Sequence, residues 1–357
     1  MIHVAIVILN WNGRSMLERF MPSVVKYSLM DSESEAGWQT PNSEPLTITS
    51  EVVVADNGSS DDSVPFLQAR YPNVRLLLFD KNYGFAEGYN RALAQVQADY
   101  YVLLNSDVEC TPHWVQPVVS MMERETNVAI AQPKLLMYDR KDTFEYAGGA
   151  GGFIDRYGYP FCRGRLFSTL ERDHGQYDDE RNIFWASGAA MFVRATVFHE
   201  LGGLDGDFFA HMEEIDFCWR AKNNGYEVRY CPRSVVFHVG GGTLPKSSPF
   251  KTRLNFRNNL AMLYKNLPPN RQRRVVYFRL VLDGVAAFKF LLQGNFGEFK
   301  AVWQAHHEFR SMKPQLRKKR DALKLRPVSC VYRRLILLDY YLLRHTLFSS
   351  LGGRFTK

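Results

Sequence analysis

The sequence predicts an α/β fold with a mostly parallel central sheet. Four short apolar runs, at 4–9, 51–56, 74–79 and 100–105, are nearly uninterrupted. Such runs are typical of strands that are covered on both faces. The stretches 60–71 and 86–97 between them carry apolar residues at helical spacing. Because strand, helix and strand alternate, we predict parallel strands joined by helices packed on the sheet.

Charge divides the chain into two parts. Residues 251–357 contain 23 Lys and Arg against 5 Asp and Glu, a net charge of +18, whereas residues 1–250 contain 22 against 32, a net charge of −10. We therefore predict two domains, an α/β domain over 1–265 and a basic helical region over 266–357. A basic region of this kind favours an anionic partner.

The basic region interleaves its cations with aromatic and aliphatic residues at 275–296 and 331–348. We predict a helix in each segment. Neither offers the roughly 18 consecutive apolar residues of a membrane-spanning helix. Both are expected to lie on an anionic membrane surface or to pack against the first domain. Nucleic acid is not expected as a partner.

The cysteines and the N-terminus bear on location. The five cysteines are spread along the chain without a C-x-x-C pair, which favours neither a disulfide framework nor a zinc cluster. The first ten residues are apolar over a short run and lack a basic leader, so we interpret them as a buried strand. We expect a reducing cytosol.

Polar residues follow each predicted strand at the point where it ends. Carboxyl ends of parallel strands share one edge of the sheet, where ligands bind. Amides and carboxylates there suit a base and a ribose, and glycines admit a phosphate. Each group alone is also ordinary turn chemistry. The predicted nucleotide-binding residues are Asn10, Asn12, Gly13, Asp56, Asn57, Asn82, Gly84, Asn90, Asn105 and Ser106.

A second acidic cluster lies among aromatic residues at 208–226. A helix beginning near Met212 places Glu213 and Asp216 on one face, with Glu214 about 100° away. An aromatic setting raises the pKa of a carboxyl group, which suits a general base. The alternative is that these acids simply stabilise the first turn of the helix.

As an ordered set, the motifs NWNG, VVVADNGSSDDS, NYGFAEGYNRAL, YVLLNSDVE, ASGAAMFVR, GGLDGDFFAHMEEIDFCWRAKNNGY and HVGGGT resemble the family 2 glycosyltransferases. The resemblance covers about residues 1–265. It is strongest to the rhamnosyltransferase-like and galactofuranosyltransferase-like branch. It implies the GT-A fold, which is Rossmann-like, with flanking helices on a mostly parallel sheet.

The resemblance implies roles for single residues. Asn105-Ser106-Asp107 takes the place of the D-x-D motif, so that Asp107 holds Mg²⁺ or Mn²⁺ on the donor diphosphate. Asn105 departs from the family pattern and is expected to contact ribose or water. His238 matches a histidine near the metal and diphosphate and is expected, with Asp107, to form the metal site. Glu214 is the expected base, with Asp216 in reserve and Glu213 beside them.

Chemistry supports the same roles. Sugar transfer from a nucleotide diphosphate needs charge neutralisation on the leaving group and a base for the acceptor hydroxyl. A hard cation on a carboxylate meets the first need. A helix cap before 112–122 is the alternative for Asp107. Trp185, beside Ser187 and Gly188, is a candidate platform for a sugar ring, and core packing is its alternative.

The predicted function is inverting, metal-dependent transfer of a sugar from a UDP- or dTDP-linked donor. The acceptor is a hydroxyl of a glycan or lipid-linked glycan in cell-surface polysaccharide synthesis. The expected location is cytoplasmic, peripheral on the inner face of the cell membrane. One alternative is a sugar nucleotidyltransferase, although no glycine-rich loop with Arg and Lys follows the first strand. Another is a non-catalytic scaffold that binds a nucleotide sugar. It is suggested because Asn105 and Glu214 both depart from the residues that the family usually has at these positions.

Overall fold

The computed structural model describes residues 1–28, 46–240 and 248–357. The polar stretch 30–50, with two prolines and no helical or strand period, predicts a long surface loop before the second strand. Its residues 30–45 lie outside the described residues, and the second strand already begins at Ile48.

A central sheet forms the core of the first part of the chain. Its strand order in the described residues is β11-β13-β6-β12-β4-β1-β2-β3, and β5 pairs with β13. The strands β1, β2, β3 and β4 are mutually parallel, as predicted, whereas β12 runs antiparallel between β4 and β6. The strands are β1 (Ile2–Asn10), β2 (Ile48–Asp56), β3 (Arg75–Leu78), β4 (Tyr100–Leu104), β5 (Val108–Cys110), β6 (Val128–Met137), β11 (Arg181–Asn182), β12 (Ala190–Arg194) and β13 (Glu227–His238).

Helices cover both faces of this sheet, which is why its strands read as continuous apolar runs. In β1, Ala5 and Val7 belong to one hydrophobic cluster, and Val4, Ile6 and Ile8 belong to the other. The first cluster includes α3 (Gly84–Leu93), α5 (Ala195–Glu200) and α6 (Glu213–Asn223), and the second includes α1 (Arg14–Ser28), α2 (Ser63–Arg70) and α4 (Gln116–Arg124). The predicted mixed α/β architecture is confirmed.

A smaller sheet joins the middle of the chain to its C-terminal segment. Its order is β10-β9-β8-β7-β14, and β14 pairs in parallel with β7. The strands are β7 (Gly152–Asp155), β8 (Pro160–Cys162), β9 (Arg165–Leu166), β10 (Thr169–Leu170) and β14 (Val331–Tyr332).

The prediction of one helix across 331–348 is therefore wrong. This segment contains β14, the short helix α10 (Ile336–Tyr341) and the start of a 3₁₀ turn (Phe348–Leu351). The pairing with β7 and a hydrogen bond from the Ile336 amide to Asp155 (3.0 Å) hold it to the small sheet.

The helical part of the C-terminal region is confirmed. It consists of α8 (Pro269–Leu292) and α9 (Phe296–Asp321), and α9 contacts both α8 and the preceding helix α7 (Pro249–Asn266), which lies almost wholly in the predicted first domain. Within the described parts of the chain, no helix combines the length and apolar character needed to cross a membrane. The boundary at 265/266 falls at the end of α7 and stays a prediction.

Two glycine-to-alanine substitutions are expected to change stability in opposite directions. A Cβ on Gly152 in β7 would lie 2.1 Å from the Trp185 ring, so Gly152→Ala should lower the free energy of unfolding by about 1–3 kcal/mol. A Cβ on Gly284, inside α8, meets no described atom within 4 Å, so Gly284→Ala should raise it by up to about 1 kcal/mol. Urea denaturation measures both. Wild-type stability in Gly152→Ala would show that Trp185 is free to move.

Candidate active site

The predicted strand ends meet on one edge of the central sheet. The side-chain NH₂ of Asn10, the last residue of β1, donates to the carboxylate of Asp56, the last residue of β2, at 2.9 Å. The Asn57 carbonyl oxygen accepts from the Tyr83 amide, and its NH₂ donates to Asn82, each at 3.0 Å. The loops after β1, β2 and β3 are therefore joined by side-chain amides.

This edge also has an unused acceptor. The Asn10 side-chain oxygen is buried and finds no hydrogen-bond partner among the described residues. A Cβ on Gly13 would lie 2.3 Å from that oxygen, so the glycine leaves the space open. Asn12, in left-handed conformation at φ 51°, accepts from the Ser60 amide at 2.8 Å and closes the loop beside it.

The N-terminus of α3 is fixed at the same edge. Asn82 accepts from the Gly84 amide at 2.8 Å. Gly84 has φ +79°, and a Cβ there would come within 2.5 Å of the Phe209 ring, so the backbone needs glycine at this point. The loop that contains Phe209 consequently packs directly on the start of α3.

Asn90 has a different environment from the one predicted. Its NH₂ donates to the Leu204 carbonyl at 2.8 Å, and its oxygen accepts from the Leu204 amide at 2.9 Å. The side chain thus pairs with one backbone unit as a strand would. Because both polar groups of the side chain are used, this arrangement argues against a nucleotide contact. Asn90 instead fixes the loop before α6.

Asp107 and His238 are brought together as predicted, and Glu145 joins them. The Asp107 carboxylate lies 3.1 Å from His238 Nε2, and Glu145 Oε1 lies 3.3 Å from His238 Nδ1. All three side chains are buried. The pairing of β5 with β13 places His238 opposite Val108, the residue after Asp107. No sequence motif around Glu145 indicates a functional residue. Its place in the site becomes apparent only from its contact with His238, which is distant in the sequence.

Opposite charges stabilise this trio. Burial acts to raise the pKa of Asp107, but the charge and hydrogen bond of His238 hold it below its ordinary value. Burial acts to lower the pKa of His238, but Asp107 and Glu145 raise it to about 10. The imidazole is therefore protonated at neutral pH and lies as a cation between two carboxylates.

The residues around Asp107 decide whether the predicted metal site can accept a divalent cation. Over residues 1–28, 46–240 and 248–357, no group of three or more His, Cys, Asp and Glu is arranged to hold a metal ion. Asp107 offers carboxylate oxygens, and the Asn105 amide lies 3.4 Å from His238 Nε2 beside it. Hard cations often use one or two carboxylates and take their other ligands from substrate phosphates. The residues fit a cation of that kind.

The residues predicted to contact the sugar are largely part of the core. The Trp185 indole is buried, and its Nε1 donates to the Phe153 carbonyl at 2.9 Å. This argues against a stacking platform. Ser187 is buried and accepts from the Ala189 amide at 3.3 Å. Gly188 lies against the Phe85 ring, close to the start of α3.

The loop before α6 has a strained backbone. Phe209, His211 and Met212 have φ values of 63°, 70° and 72°, in the left-handed region that non-glycine residues rarely adopt. Such strain persists only where the surroundings impose it, and it is common at functional sites. The sequence does not reveal it, because no glycine marks these positions.

Two neighbours impose this conformation. Asn258 of α7 donates to the carbonyls of Phe208, Ala210 and His211 at 2.7–2.9 Å. On the other side, the Phe209 carbonyl accepts from the first amides of α3, at 2.7 and 3.2 Å. The strained loop thus connects α7 to the edge of the sheet that is predicted to bind a nucleotide, and it sets the position at which α6 begins.

Glu213 and Glu214 open α6. Glu213 is buried, and burial together with the nearby Glu214 holds its pKa well above the ordinary value. Burial raises the pKa of Glu214 to about 7. Its Oε2 atom is buried and has no hydrogen-bond partner within the described residues. A carboxylate with a free oxygen and a pKa near neutrality has the properties of a general base.

Asp216 has the opposite environment. It is fully buried, and its Oδ2 accepts from Arg220 Nε and Lys265 Nζ, both at 2.9 Å. Its Oδ1 accepts from the Asn266 NH₂ at 2.7 Å. Both oxygens are committed, which argues against Asp216 as a base. The carboxylate instead joins α6 to α7.

Comparisons with known proteins agree with this geometry. The model of the family "Glycosyl transferase family 2" matches residues 6–202. The N-acetylglucosaminyl-diphospho-decaprenol L-rhamnosyltransferase of Mycobacterium tuberculosis is 28% identical over 205 residues, 52% of this chain and 66% of that protein. The low-salt glycan biosynthesis hexosyltransferase Agl10 of Haloferax volcanii is 24% identical over 216 residues, 58% of this chain and 65% of that protein. The matches thus span less than two thirds of these relatives.

Among solved structures, GalNAc-T7 with UDP, GalNAc and Mn²⁺ is similar with a TM-score of 0.57 and 14% sequence identity. The likeness covers 92% of this chain and 59% of that one. At this identity it bears on the fold alone, and it confirms the predicted GT-A fold.

Asp216→Ala is expected to lower the free energy of unfolding by about 3–5 kcal/mol, because Arg220 and Lys265 would keep buried charges without their shared counter-ion. Urea denaturation measures the loss. Asp321→Ala removes an exposed carboxylate at the end of α9 and is the matched control, expected to have little effect. Equal effects of the two substitutions would contradict the structural role of Asp216.

Glu214→Gln is expected to change how stability depends on pH. Burial raises the pKa of Glu214 from 4.5 to about 7, so the folded protein holds this proton more tightly than the unfolded chain. The wild-type free energy of unfolding therefore falls as pH rises through this interval, and the variant lacks that loss. The variant should match the wild type below pH 4.5 and exceed it by on the order of 3 kcal/mol at pH 8.

Urea denaturation across this pH range tests the expectation. Glu18→Gln, at an exposed carboxylate of α1, is the matched control and should not produce such a difference. A constant difference between Glu214→Gln and the wild type at every pH would show that Glu214 ionises in the folded protein as in the unfolded chain.

Proposed function

The chain belongs to glycosyl transferase family 2, and we propose that it transfers a sugar from a UDP- or dTDP-linked donor to a hydroxyl of a glycan or lipid-linked glycan acceptor, with inversion, in cell-surface polysaccharide synthesis. One observation carries the proposal. Asp107, paired with His238, lies at the strand-end edge whose amides suit a nucleotide, and the same loop network positions a carboxylate with a free oxygen, Glu214.

The nucleotide would lie along the amide-rich edge. The Asp56 carboxylate and the buried Asn10 oxygen, which has an acceptor position to spare, offer acceptors for the base and ribose. Asn57 and Asn82 shape this edge by holding its loops together. The first amides of α3 already donate to Asn82 and to the Phe209 carbonyl, so the start of this helix supports the loops and not a phosphate. The similar GalNAc-T7 structure contains UDP, which supports a nucleotide ligand for a protein of this fold.

Mg²⁺ or Mn²⁺ is the proposed cofactor, with Asp107 as its protein ligand and His238 beside it. When bound, the ion neutralises charge on the departing diphosphate. Glu145 holds the far side of the His238 ring, so the imidazole is fixed facing Asp107. The presence of Mn²⁺ in the GalNAc-T7 structure supports a divalent ion in this fold.

Glu214 is the proposed base. The acceptor hydroxyl oxygen forms a bond to the anomeric carbon of the donor sugar, and the bond from that carbon to the diphosphate oxygen breaks. The hydroxyl proton moves to Glu214, and the nucleoside diphosphate leaves with the electron pair of the broken bond. A pKa near 7 leaves about half of the Glu214 side chains ionised at neutral pH and most of them above it, so that Glu214 can accept this proton. A single displacement inverts the anomeric centre.

A lipid-linked acceptor and a peripheral position on the inner face of the cell membrane complete the proposal. The Mycobacterium tuberculosis relative is named for an N-acetylglucosaminyl-diphospho-decaprenol substrate, and this chain carries a net charge of +18 over residues 251–357. A basic region is attracted to the anionic surface in which such an acceptor resides.

UDP or dTDP is expected to raise the melting temperature, more strongly with Mn²⁺, because a ligand that binds only the folded state stabilises it by roughly 2.7 kcal/mol at 100 times its Kd. Asp107→Ala should remove the Mn²⁺-dependent part of this shift. Asp139→Ala, an exposed aspartate after β6, is the matched control and should keep the full shift. An Asp107→Ala protein with an unchanged Mn²⁺-dependent shift would contradict the proposed metal site.

Analysis of products separates the proposed reaction from nucleotidyl transfer. Incubation of the protein with a donor of the stabilising nucleotide and a lipid-linked acceptor should release nucleoside diphosphate. Release of pyrophosphate from a sugar phosphate and a nucleoside triphosphate would instead favour a nucleotidyltransferase, and failure to bind any nucleotide would favour a scaffold.

A further inference from the structure

The exposed face of α8 is apolar. Tyr277, Val281, Val285, Phe288 and Leu292 have 71%, 48%, 62%, 57% and 72% of their surfaces exposed. Their spacing of i, i+4, i+8, i+11 and i+15 places them in one stripe along the helix. A surface helix normally turns its apolar stripe toward the core and its polar side toward water. Packing within the described chain does not account for this stripe.

The buried face of α8 carries charge. Arg279 and Asp283 are 6% and 1% exposed and form an ion pair at 2.7 Å. His306 of α9 approaches the other Asp283 oxygen at 3.4 Å, and the Arg279 guanidinium lies 3.8 Å from the centre of the Tyr159 ring. The buried side of α8 thus combines this ion pair with apolar residues, and between Tyr277 and Leu292 the exposed side carries the apolar stripe together with one cation, Lys289.

The apolar surface continues into α9. A short turn at 293–295 joins the two helices, and the contact between Asp283 and His306 connects positions about equally far from that turn, so the helices form an antiparallel hairpin. At the start of α9, Phe296, Phe299 and Trp303 are 67%, 37% and 65% exposed. The end of the hairpin near the turn is therefore apolar on both helices.

The opposite end of the hairpin is cationic. Arg273 of α8 and Lys313 and Arg317 of α9 line a common cavity of about 430 Å³. The whole hairpin, residues 269–321, contains twelve Lys and Arg against four Asp and Glu. An apolar end combined with a basic end is the distribution of an element that inserts shallowly into a membrane interface while its cations meet lipid phosphates.

We propose that the α8–α9 hairpin is the membrane-docking element of this protein, and that its occupant is the surface of an anionic bilayer. The stripe from Tyr277 to Leu292, together with Phe296, Phe299 and Trp303, enters the interface, and the basic end contacts phosphates. A second copy of the chain is disfavoured as the occupant, because it would bring together two hairpins that each carry a net charge of +8. The inference rests on the proposed function, in which the acceptor is lipid-linked.

Vesicle flotation of the full chain tests the proposal. The wild type should bind vesicles of phosphatidylcholine and phosphatidylglycerol, more weakly when salt is raised and more weakly still with phosphatidylcholine alone. The triple variant Val285→Gln, Phe288→Gln, Leu292→Gln should bind the anionic vesicles at least about tenfold more weakly. The replaced side chains are exposed, so circular dichroism and melting should stay close to those of the wild type.

A matched pair separates the hairpin from exposed leucines in general. Leu292→Gln removes a side chain that is 72% exposed on the hairpin, and Leu78→Gln removes one that is 58% exposed on β3. Only the first should weaken vesicle binding. Undiminished binding by the triple variant, or equal losses in the matched pair, would overturn the proposal.

Trp303 provides a second readout, which reports whether this side chain enters the bilayer of the vesicles and not how tightly the protein binds them. With brominated lipids in the anionic vesicles, fluorescence should be quenched in the wild type and much less in Trp303→Phe. Equal quenching in the two proteins would show that Trp303 stays outside the bilayer and would overturn the proposal.

The Mn²⁺-dependent nucleotide shift, measured on the triple variant without vesicles, separates this inference from the proposed function. Loss of vesicle binding with the shift retained supports the docking role. If the wild type and the triple variant both show the nucleotide shift and bind vesicles equally well, the docking role is overturned and the proposed function is not. Vesicle binding that depends on the stripe, in a wild type without any nucleotide shift, supports docking and overturns the proposed function.

Discussion

A buried ion cluster is the constraint on which the candidate site depends. Lys265 of α7 pairs with Asp216 of α6 and with Asp205 in the loop before it, and Lys319 of α9 reaches the same Asp205 at 2.5 Å. Buried charges of this kind require their partners, since an unpaired charge away from water is costly. Helices α7 and α9 therefore take part in positioning the candidate site. They hold α6 and the strained loop before it against the edge of the sheet that is proposed to bind the nucleotide. The proposed base and the proposed docking hairpin are thus connected through one ion cluster.

A second ionic arrangement prepares the other half of the site. His238 lies between Asp107 and Glu145, and the protonated ring is positioned before any ligand arrives. Because its two nitrogens face two carboxylates, the ring orients the Asp107 carboxylate, the proposed ligand of a divalent cation, and a ligand that is already oriented needs less reorganisation when the cation binds. Glu145 contributes by fixing the ring, a role distinct from the proposed metal binding of Asp107.

The sequence predicts those features that local pattern encodes. The strands, their parallel order and the polar edge were predictable because apolar runs end abruptly at Asn10, Asp56 and Asn105, and the meeting of Asp107 with His238 followed from the family resemblance. Environments set by distant residues were not predictable. The commitment of Asp216 to Lys265, the pairing of Asn90 with Leu204 and the burial of Trp185 depend on tertiary contacts. The exposed apolar stripe of α8 was also hidden, because Arg279 and Asp283, which interrupt the apolar run in the sequence, pair with each other on the buried side of the helix.

The measurement that tests the central claim most directly is a crystal structure with Mn²⁺ and the pyrimidine diphosphate that stabilises the protein, with diffraction data collected at the manganese absorption edge. The account predicts an anomalous peak within coordination distance of the Asp107 carboxylate and of the diphosphate, with the nucleotide lying along the edge formed by Asn10, Asp56 and Asn57. A nucleotide bound at another surface, or one bound at this edge with the manganese peak remote from Asp107, would contradict it.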